Sequence, residues 1–315
     1  MRVRERVATL VLAFAIDRYF GEPPAAVHPV VWIGRFARVQ EGRAPGGRIA
    51  QLVYGACLTA AIVASAAFAS ALAERAVARL PEIVRVVCAA LLLKPAFAVR
   101  GLFRAGEDVR TALEAHNLPA AREALRGLCS RDATTLGHEH IASGAIESIA
   151  ENAVDSAVSP WLAYLIAGLP GAYAYRAANT LDAMIGYHGP YEYLGKIAAR
   201  LDDLLNLVPA RVTFVLIGLG AALGDGDPRR AFRIALRDHG ATESPNAGWP
   251  MSAMAGALGI QLEKPGHYQL GDRSRPIRAL DIAAAERIVG RGLAAALALL
   301  LLLGCVGRRN RVDAA

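Results

Sequence analysis

The stretch Ile49-Ala-Gln-Leu-Val-Tyr54-Gly-Ala-Cys57-Leu-Thr-Ala-Ala-Ile-Val-Ala-Ser-Ala-Ala-Phe68-Ala-Ser-Ala-Leu-Ala73 contains no ionisable side chain beyond one tyrosine and one cysteine. A helix needs about 20 such residues to cross the hydrocarbon core of a bilayer. Lipid offers the backbone no water, so a run of this kind must be helical there. Further apolar runs lie at 83–103, 157–174, 207–224 and 292–306, the second interrupted by Arg85 and Lys94. Apolar residues make up 54% of the chain and charged residues 20%, with a mean hydropathy of +0.32, high for a soluble protein of this length, the alternative being a buried helix of a soluble protein. The expectation is an all-α, multi-pass integral membrane protein with about four to five membrane segments joined by helical loops, residues 1–315 forming one domain.

The net charge of +7 is carried almost wholly by arginine. The arginines are not interleaved with aromatics along a basic stripe, so nucleic acid is excluded as a partner. Anionic lipid headgroups, the positive-inside bias and phosphorylated substrates account for the excess better. Residues 225–291 carry ten Lys or Arg, and Arg308, Arg309 and Arg311 follow 292–306. Both basic segments cannot be cytoplasmic if 292–306 crosses once, so charge alone gives no single topology. Cys57, Cys88, Cys129 and Cys305 are widely spaced, which indicates neither a zinc site nor a disulfide framework. Arg2, Arg4 and Arg6 before Val7–Ile16 resemble a signal sequence, but no cleavage-site pattern follows, and the segment reads as retained.

Polar residues concentrate beside the apolar runs. On a helix starting near His138, Glu147, Glu151 and Asp155 share an 80° stripe with His140 and Gly144, opposite Ile141, Ala145, Ile149 and Ala153. Three acids at this spacing repel one another, so the stripe calls for a metal, arginines or an ammonium group, the alternative being a solvated acidic face. His138 and His140 diverge too far on a helix to share an ion. After the third run, Tyr175, Asn179 and Asp182 face one way with Arg176 beside them; a capped helix end reads the same. In Arg200-Leu-Asp202-Asp203-Leu-Leu-Asn206, Asp202 and Asn206 align, and hard oxygen ligands of this kind suit magnesium. Two Pro- and Gly-rich loops offer flat rings to a large planar ligand: Asp17 to Gly34, with Glu22, His28 and Trp32, and Ser244 to Tyr268, with Asn246, Trp249, Lys264 and His267. Rigid loops at the membrane edge are the alternative. P-loop, nucleophile-elbow and His-Glu-x-x-His motifs are absent.

The ordered strings Gly21-Glu22-Pro-Pro, His28-Pro-Val, Trp32-Ile-Gly, Ser130-Arg131-Asp132, Ala145-Ile-Glu147-Ser-Ile-Ala-Glu151-Asn152-Ala-Val-Asp155, Tyr175-Arg176-Ala-Ala-Asn179-Thr-Leu-Asp182, Arg200-Leu-Asp202-Asp203, Ser244-Pro-Asn246-Ala-Gly-Trp249-Pro-Met and Glu263-Lys264-Pro-Gly-His267-Tyr268 closely resemble the CobD/CbiB family of cobalamin biosynthesis proteins, the adenosylcobinamide-phosphate synthases. Glu22, Ser156 and His188 stand where that family usually has Asp, Gly and Arg. The resemblance implies an acid–amine ligase in the bacterial inner membrane. It would join aminopropanol phosphate, or a related amino-alcohol, to the free propionate carboxylate of adenosylcobyric acid, with ATP as co-substrate and magnesium as cofactor. Beside that implication, Glu147, Glu151, Asp155, Asp202 and Asp203 are expected to hold magnesium, Glu147, Glu151 and Asp155 with Arg131 and Arg176 to be catalytic, and Arg200 to neutralise phosphoryl charge. Asp17, Glu22, His28, Trp32, Asp132, Asn152, Asn179, Asp182, Asn246, Trp249, Lys264 and His267 are expected to bind substrate. Partners would be the corrinoid, the amino-alcohol phosphate, the lipid bilayer, and a second copy or another enzyme of the pathway. A transporter with the same groups lining a midplane site is the competing class. It is disfavoured because no inverted repeat is visible and the polar residues flank the runs. A full crossing by 157–174, roughly 27 Å, would put Glu147–Asp155 and Arg176–Asp182 at opposite membrane faces. Pro160–Tyr173, with Gly168 and Pro170-Gly171, is therefore expected to be re-entrant or kinked and buried in protein.

Overall fold

The computed structural model describes residues 1–129, 132–224 and 226–312, with side chains to Leu303. In chain order the helices are Val3–Phe20 (α1), Pro29–Glu41 (α2), Arg48–Val77 (α3), Glu82–Leu93 (α4), Val99–Glu114 (α5), Leu118–Leu125 (α6), His138–Ala153 (α7), Ser159–Ile185 (α8), Lys196–Ala222 (α9), Pro228–Asp238 (α10) and Gly248–Leu258 (α11). Strands Gln261–Lys264 (β1) and Tyr268–Gly271 (β2) and helix Ala279–Val312 (α12) complete the chain. The fold is all-α apart from that hairpin. Three stretches are long and apolar enough to cross a membrane by length and composition: Arg48–Val77, Glu82–Glu114 and Lys196–Ala222.

The chain divides into two compact units. One contains Met1–Ala98, Ser159–Asn206 and the segment from Leu303; the other contains Val99–Val158 and Leu207–Leu302. In the first, α3 and α8 bury Leu58, Ile62, Ala177, Leu181 and Ile185 together with Ala37, Leu194 and Ala198. Contact is close enough that a Cβ on Gly55 would sit 2.0 Å from the Leu194 carbonyl oxygen. Along the same helix Ile49, Val53 and Phe68 stay exposed, the pattern of a helix that faces lipid on one side.

Two departures from a regular helix have legible causes. The run 83–103 is not one α-helix: α4 stops at Leu93, a 3-10 turn covers Lys94–Ala96, and α5 restarts at Val99. Pro95 brings no N–H and clashes with the preceding turn, so it ends the α-helical ladder. The expected kink in α8 is present at Gly168 (φ 69°, ψ −157°), a backbone region that only glycine enters cheaply. The segment is not wholly buried in protein as expected, since Ile166 and Ala167 just before the kink are exposed. The broken ladder frees the Leu169 N–H, which donates to Glu74 Oε2 at 3.1 Å.

In the second unit α7 begins at His138, as the pattern predicts, but Ile141 to Ala150 are buried on every side. The helix is therefore not amphipathic with an open acidic stripe. Its α-helical rise also stops at Ala153, where a π turn over Val154–Val158 takes in Asp155. The 100° advance that aligned Asp155 with Glu147 does not hold through that turn, and π turns recur at functional sites. The Glu263–Tyr268 segment is a hairpin rather than a plain loop. Leu262 opposes Leu270 and Lys264 opposes Tyr268 across the ladder, with Pro265-Gly266-His267 forming the turn. Strands of four residues are too short for alternation to announce them.

Candidate active site

The first unit holds two buried polar groups. Asp17 near the end of α1, Glu22 in the loop after it and His28 at the N-cap of α2 are gathered by a residue outside the expected set, Lys94. Its ammonium lies 3.0 Å from Asp17 Oδ1 and 2.5 Å from Glu22 Oε1. The Lys94 side chain is 4% exposed and is paired with both carboxylates. Glu22 Oε2 meets His28 Nε2 at 2.8 Å. Trp32 donates its indole N–H to the Ala26 carbonyl at 2.9 Å and leaves half its surface exposed.

The second group joins α8 to the start of α9. Asp202, on α9, accepts at Oδ1 from the Asn179 amide (3.2 Å) and at Oδ2 from the Asn206 amide (2.8 Å). Asn206 Oδ1 accepts from the hydroxyls of Ser159 (2.6 Å) and Tyr175 (3.0 Å). Asn179 Oδ1 accepts from Arg176 Nη1 at 3.0 Å. The expected face of Tyr175 and Asn179 is thus real, with Arg176 tethered to it rather than ending a helix, and Asp202 pairs with Asn206 as their spacing requires. The Asp182 carboxylate lies against Gly186. Arg200 is three-quarters exposed, 3.7 Å from Asp203.

In the second unit Glu147 is 2% exposed. Its Oε1 accepts from the Ser143 hydroxyl at 2.7 Å and its Oε2 from the Tyr268 hydroxyl at 2.9 Å. Ser143 Oγ in turn accepts from the Glu263 backbone N–H at 2.9 Å. Hence the hairpin holds α7 by hydrogen bonds that end on a buried carboxylate. Glu151 is exposed and Asp155 half-buried. Elsewhere in this unit Asn246 Oδ1 accepts from Arg211 at 2.8 Å. The same guanidinium lies 5.1 Å from the Trp249 ring centroid, and the His239 ring stacks on Trp249 at 3.9 Å. Trp249 therefore has one face already covered by protein.

The remaining expected residues have local roles or stand apart. Asp132 accepts from the Thr134 backbone N–H and hydroxyl, and these bonds hold its carboxyl below the usual range. Asn152 donates to the Leu128 carbonyl. Lys264 precedes the hairpin turn and His267 lies in it, half-exposed and 3.8 Å from Glu243. Arg131 lies outside the described residues. Among the described residues no three His, Cys, Asp or Glu side chains are placed to hold a metal ion, so the five expected acids do not form a cage.

Sequence reasoning passed over Lys94, Ser143, Glu263 and Tyr268. Lys94 had a signal, since a lone lysine in an apolar run is costly unless it is paired. Ser143 stands four residues before Glu147, the spacing at which helical neighbours meet. For Tyr268 the sequence held no such cue, because only the hairpin register carries its hydroxyl to Glu147.

Residues 10–295 match the family model described as CobD/Cbib protein. The chain is 42% identical over 274 residues to the cobalamin biosynthesis protein CobD of Dehalococcoides mccartyi, covering 87% of this chain and 89% of that one. It is 40% identical over 267 residues to a probable cobalamin biosynthesis protein CobD of Methanothermobacter thermautotrophicus, covering 84% and 87%. A probable CobD of Methanothrix thermoacetophila is 36% identical over 313 residues, covering 94% and 96%. No solved structure matches the chain.

Proposed function

The chain belongs to the CobD/CbiB protein family, and from that membership in cobalamin biosynthesis we propose that it is the ligase that joins aminopropanol phosphate to the propionate carboxylate of adenosylcobyric acid at the expense of ATP. The observation that carries the reading is Glu147, a buried carboxylate held by two hydroxyls, one of which, Ser143, also lines a charged cleft. Amide formation from a carboxylate requires an activated acyl group and an uncharged amine. The amine enters as an ammonium and must lose a proton to a base. Glu147 takes that role, with the Ser143 hydroxyl handing on the proton, because both Glu147 oxygens are already fixed by hydroxyl donors.

Arg176, held by Asn179 and through it linked to Asp202, would neutralise charge on a transferring phosphoryl, with Arg200 as a further cation. Magnesium commonly binds through one or two carboxylates together with substrate phosphates. Glu151 and Asp155 supply hard oxygen donors in that number and would hold it. When bound, the ion would neutralise nucleotide phosphate charge. The corrin would meet His28 and Trp32 at the start of α2. The apolar stretches place the enzyme in a membrane, and the bacterial inner membrane is the assignment that accompanies this reaction.

The test is detergent-purified protein incubated with adenosylcobyric acid, aminopropanol phosphate, ATP and magnesium, following corrinoid mass. An ATP-dependent amide adduct is expected. Glu147→Gln should reduce its rate by about 10²–10⁴-fold, the range of a lost general base, while the protein melts as a folded species. An unchanged corrinoid with wild-type protein would overturn the ligase reading; full activity in the variant would remove Glu147 from it.

A further inference from the structure

The second unit contains a cleft of about 90 Å³ at the start of α7. Its walls carry both signs of charge: Glu139 and Glu263 against Arg273 and Arg275, with His140 and Ser143 between. Arg275 is committed, since its two Nη atoms donate to the two Asp281 oxygens at 2.7 Å each. Glu139 Oε1 accepts from the Ile277 N–H at 3.3 Å, and Ser143 is engaged with Glu147 and the Glu263 N–H. Arg273 is three-quarters exposed, with only a 4.0 Å approach to Glu139. Among the described residues the Glu263 carboxylate and the His140 ring have no hydrogen-bond or ion-pair partner.

A purely anionic ligand would face two carboxylates in this cleft, and a purely cationic one two guanidiniums. A small molecule with an ammonium at one end and a phosphate at the other is opposed by neither. The ends are also distinguishable. Glu263 and Ser143 are joined by the Glu263 N–H, and Ser143 leads to Glu147. Arg273 lies on the side of Glu139, in the first turn of a 16-residue helix whose N-terminal dipole favours an anion.

We propose that this cleft is the subsite for the amino-alcohol phosphate, its ammonium against Glu263 beside Ser143 and its phosphate against Arg273 and His140. The proposal rests on the ligase reading only for the identity of the ligand. It puts the amine one hydroxyl away from Glu147.

Direct binding separates the two ideas. Calorimetry on the purified full chain, without ATP or corrinoid, would use aminopropanol phosphate, aminopropanol and propanediol phosphate as probes. The wild type should prefer the zwitterion over either half-charged analogue. Arg273→Gln should lose the preference for phosphate over plain aminopropanol, and Glu263→Gln the preference for amine over propanediol phosphate. In turnover each should raise KM for the amine by about tenfold or more, the weight of a hydrogen bond to a charged group, with KM for ATP and corrinoid unchanged. Arg273→Lys should recover part of the phosphate preference. Variants that bind and turn over the amine like wild type would overturn the subsite while leaving the ligase intact. Variant-sensitive zwitterion binding in a protein that forms no amide would uphold the subsite and overturn the ligase reading. Absence of zwitterion binding by the wild type overturns the subsite.

Discussion

Asp202 has two carboxylate oxygens, and each accepts one side-chain amide N–H, from Asn179 and from Asn206. Replacing it with asparagine changes one oxygen into an NH2 that confronts another NH2. An ordinary remedy is for the neighbouring amide to flip, but both neighbours are pinned. Asn206 Oδ1 already receives Ser159 and Tyr175, and Asn179 Oδ1 receives Arg176. One buried donor is then left unsatisfied, at about 1–3 kcal/mol. Asp202→Asn should therefore lower stability by that amount in denaturant or thermal melts in detergent, despite being nearly isosteric. A melt equal to wild type would mean that the network tolerates a rearrangement these contacts do not offer.

At the scale of elements, the second unit's α10 is fastened to the hairpin by Asp238. Its carboxylate accepts from Arg237 Nε and Nη2 at 2.6 and 2.8 Å and from the Gly271 backbone N–H at 2.7 Å. The Arg237 hydrogen bonds come first among the causes that hold Asp238 below the usual carboxylate range; desolvation works against them, and the Gly271 N–H adds to the lowering. A carboxyl whose folded value is depressed contributes stability that is fully present above its unfolded value, about 3.9. That contribution is lost as pH falls through the folded value. Asp272, 2.8 Å from Arg237, is lowered by the same guanidinium and shares the sign. Asp238→Asn should thus melt below wild type at pH 7, and the gap should narrow as the pH is taken below about 3.9. A constant gap over that range would show that packing, not charge, holds the hairpin. Sequence reading found α7 because its first residue and its apolar period coincide, and it found the α8 kink because Gly168 and Pro170 announce one. The break before α5 lies inside an apolar run, where Pro95 is its single signal. Nor is the hairpin announced, its strands being shorter than any period needs. The candidate site was legible where partners lie one helical turn apart, as for Asp202 and Asn206. It was not legible where they are brought together by tertiary packing, as for Asp17, Glu22 and Lys94, or Glu147 and Tyr268.

For the molecule as a whole, the decisive question is what surrounds the exposed apolar residues of α3, since length and composition alone nominate it as a span. Ala61 and Ala64 are exposed near the middle of Arg48–Val77, between exposed Val53 and Phe68. Were that face in water, an arginine there would be an ordinary surface change, within about 0.5 kcal/mol of neutral. In lipid the same arginine at a helix centre costs about 2.5–3.5 kcal/mol on the insertion scale, with snorkelling limited because either end lies many residues away. Ala64→Arg should therefore reduce the membrane-inserted, carbonate-resistant fraction of the protein severely. Ala78→Arg, just past the end of α3, should insert normally. Equal insertion of the two variants would place the α3 face against water or a polar partner, and the reading of Ile49–Ala73 as a lipid-facing span would have to be given up.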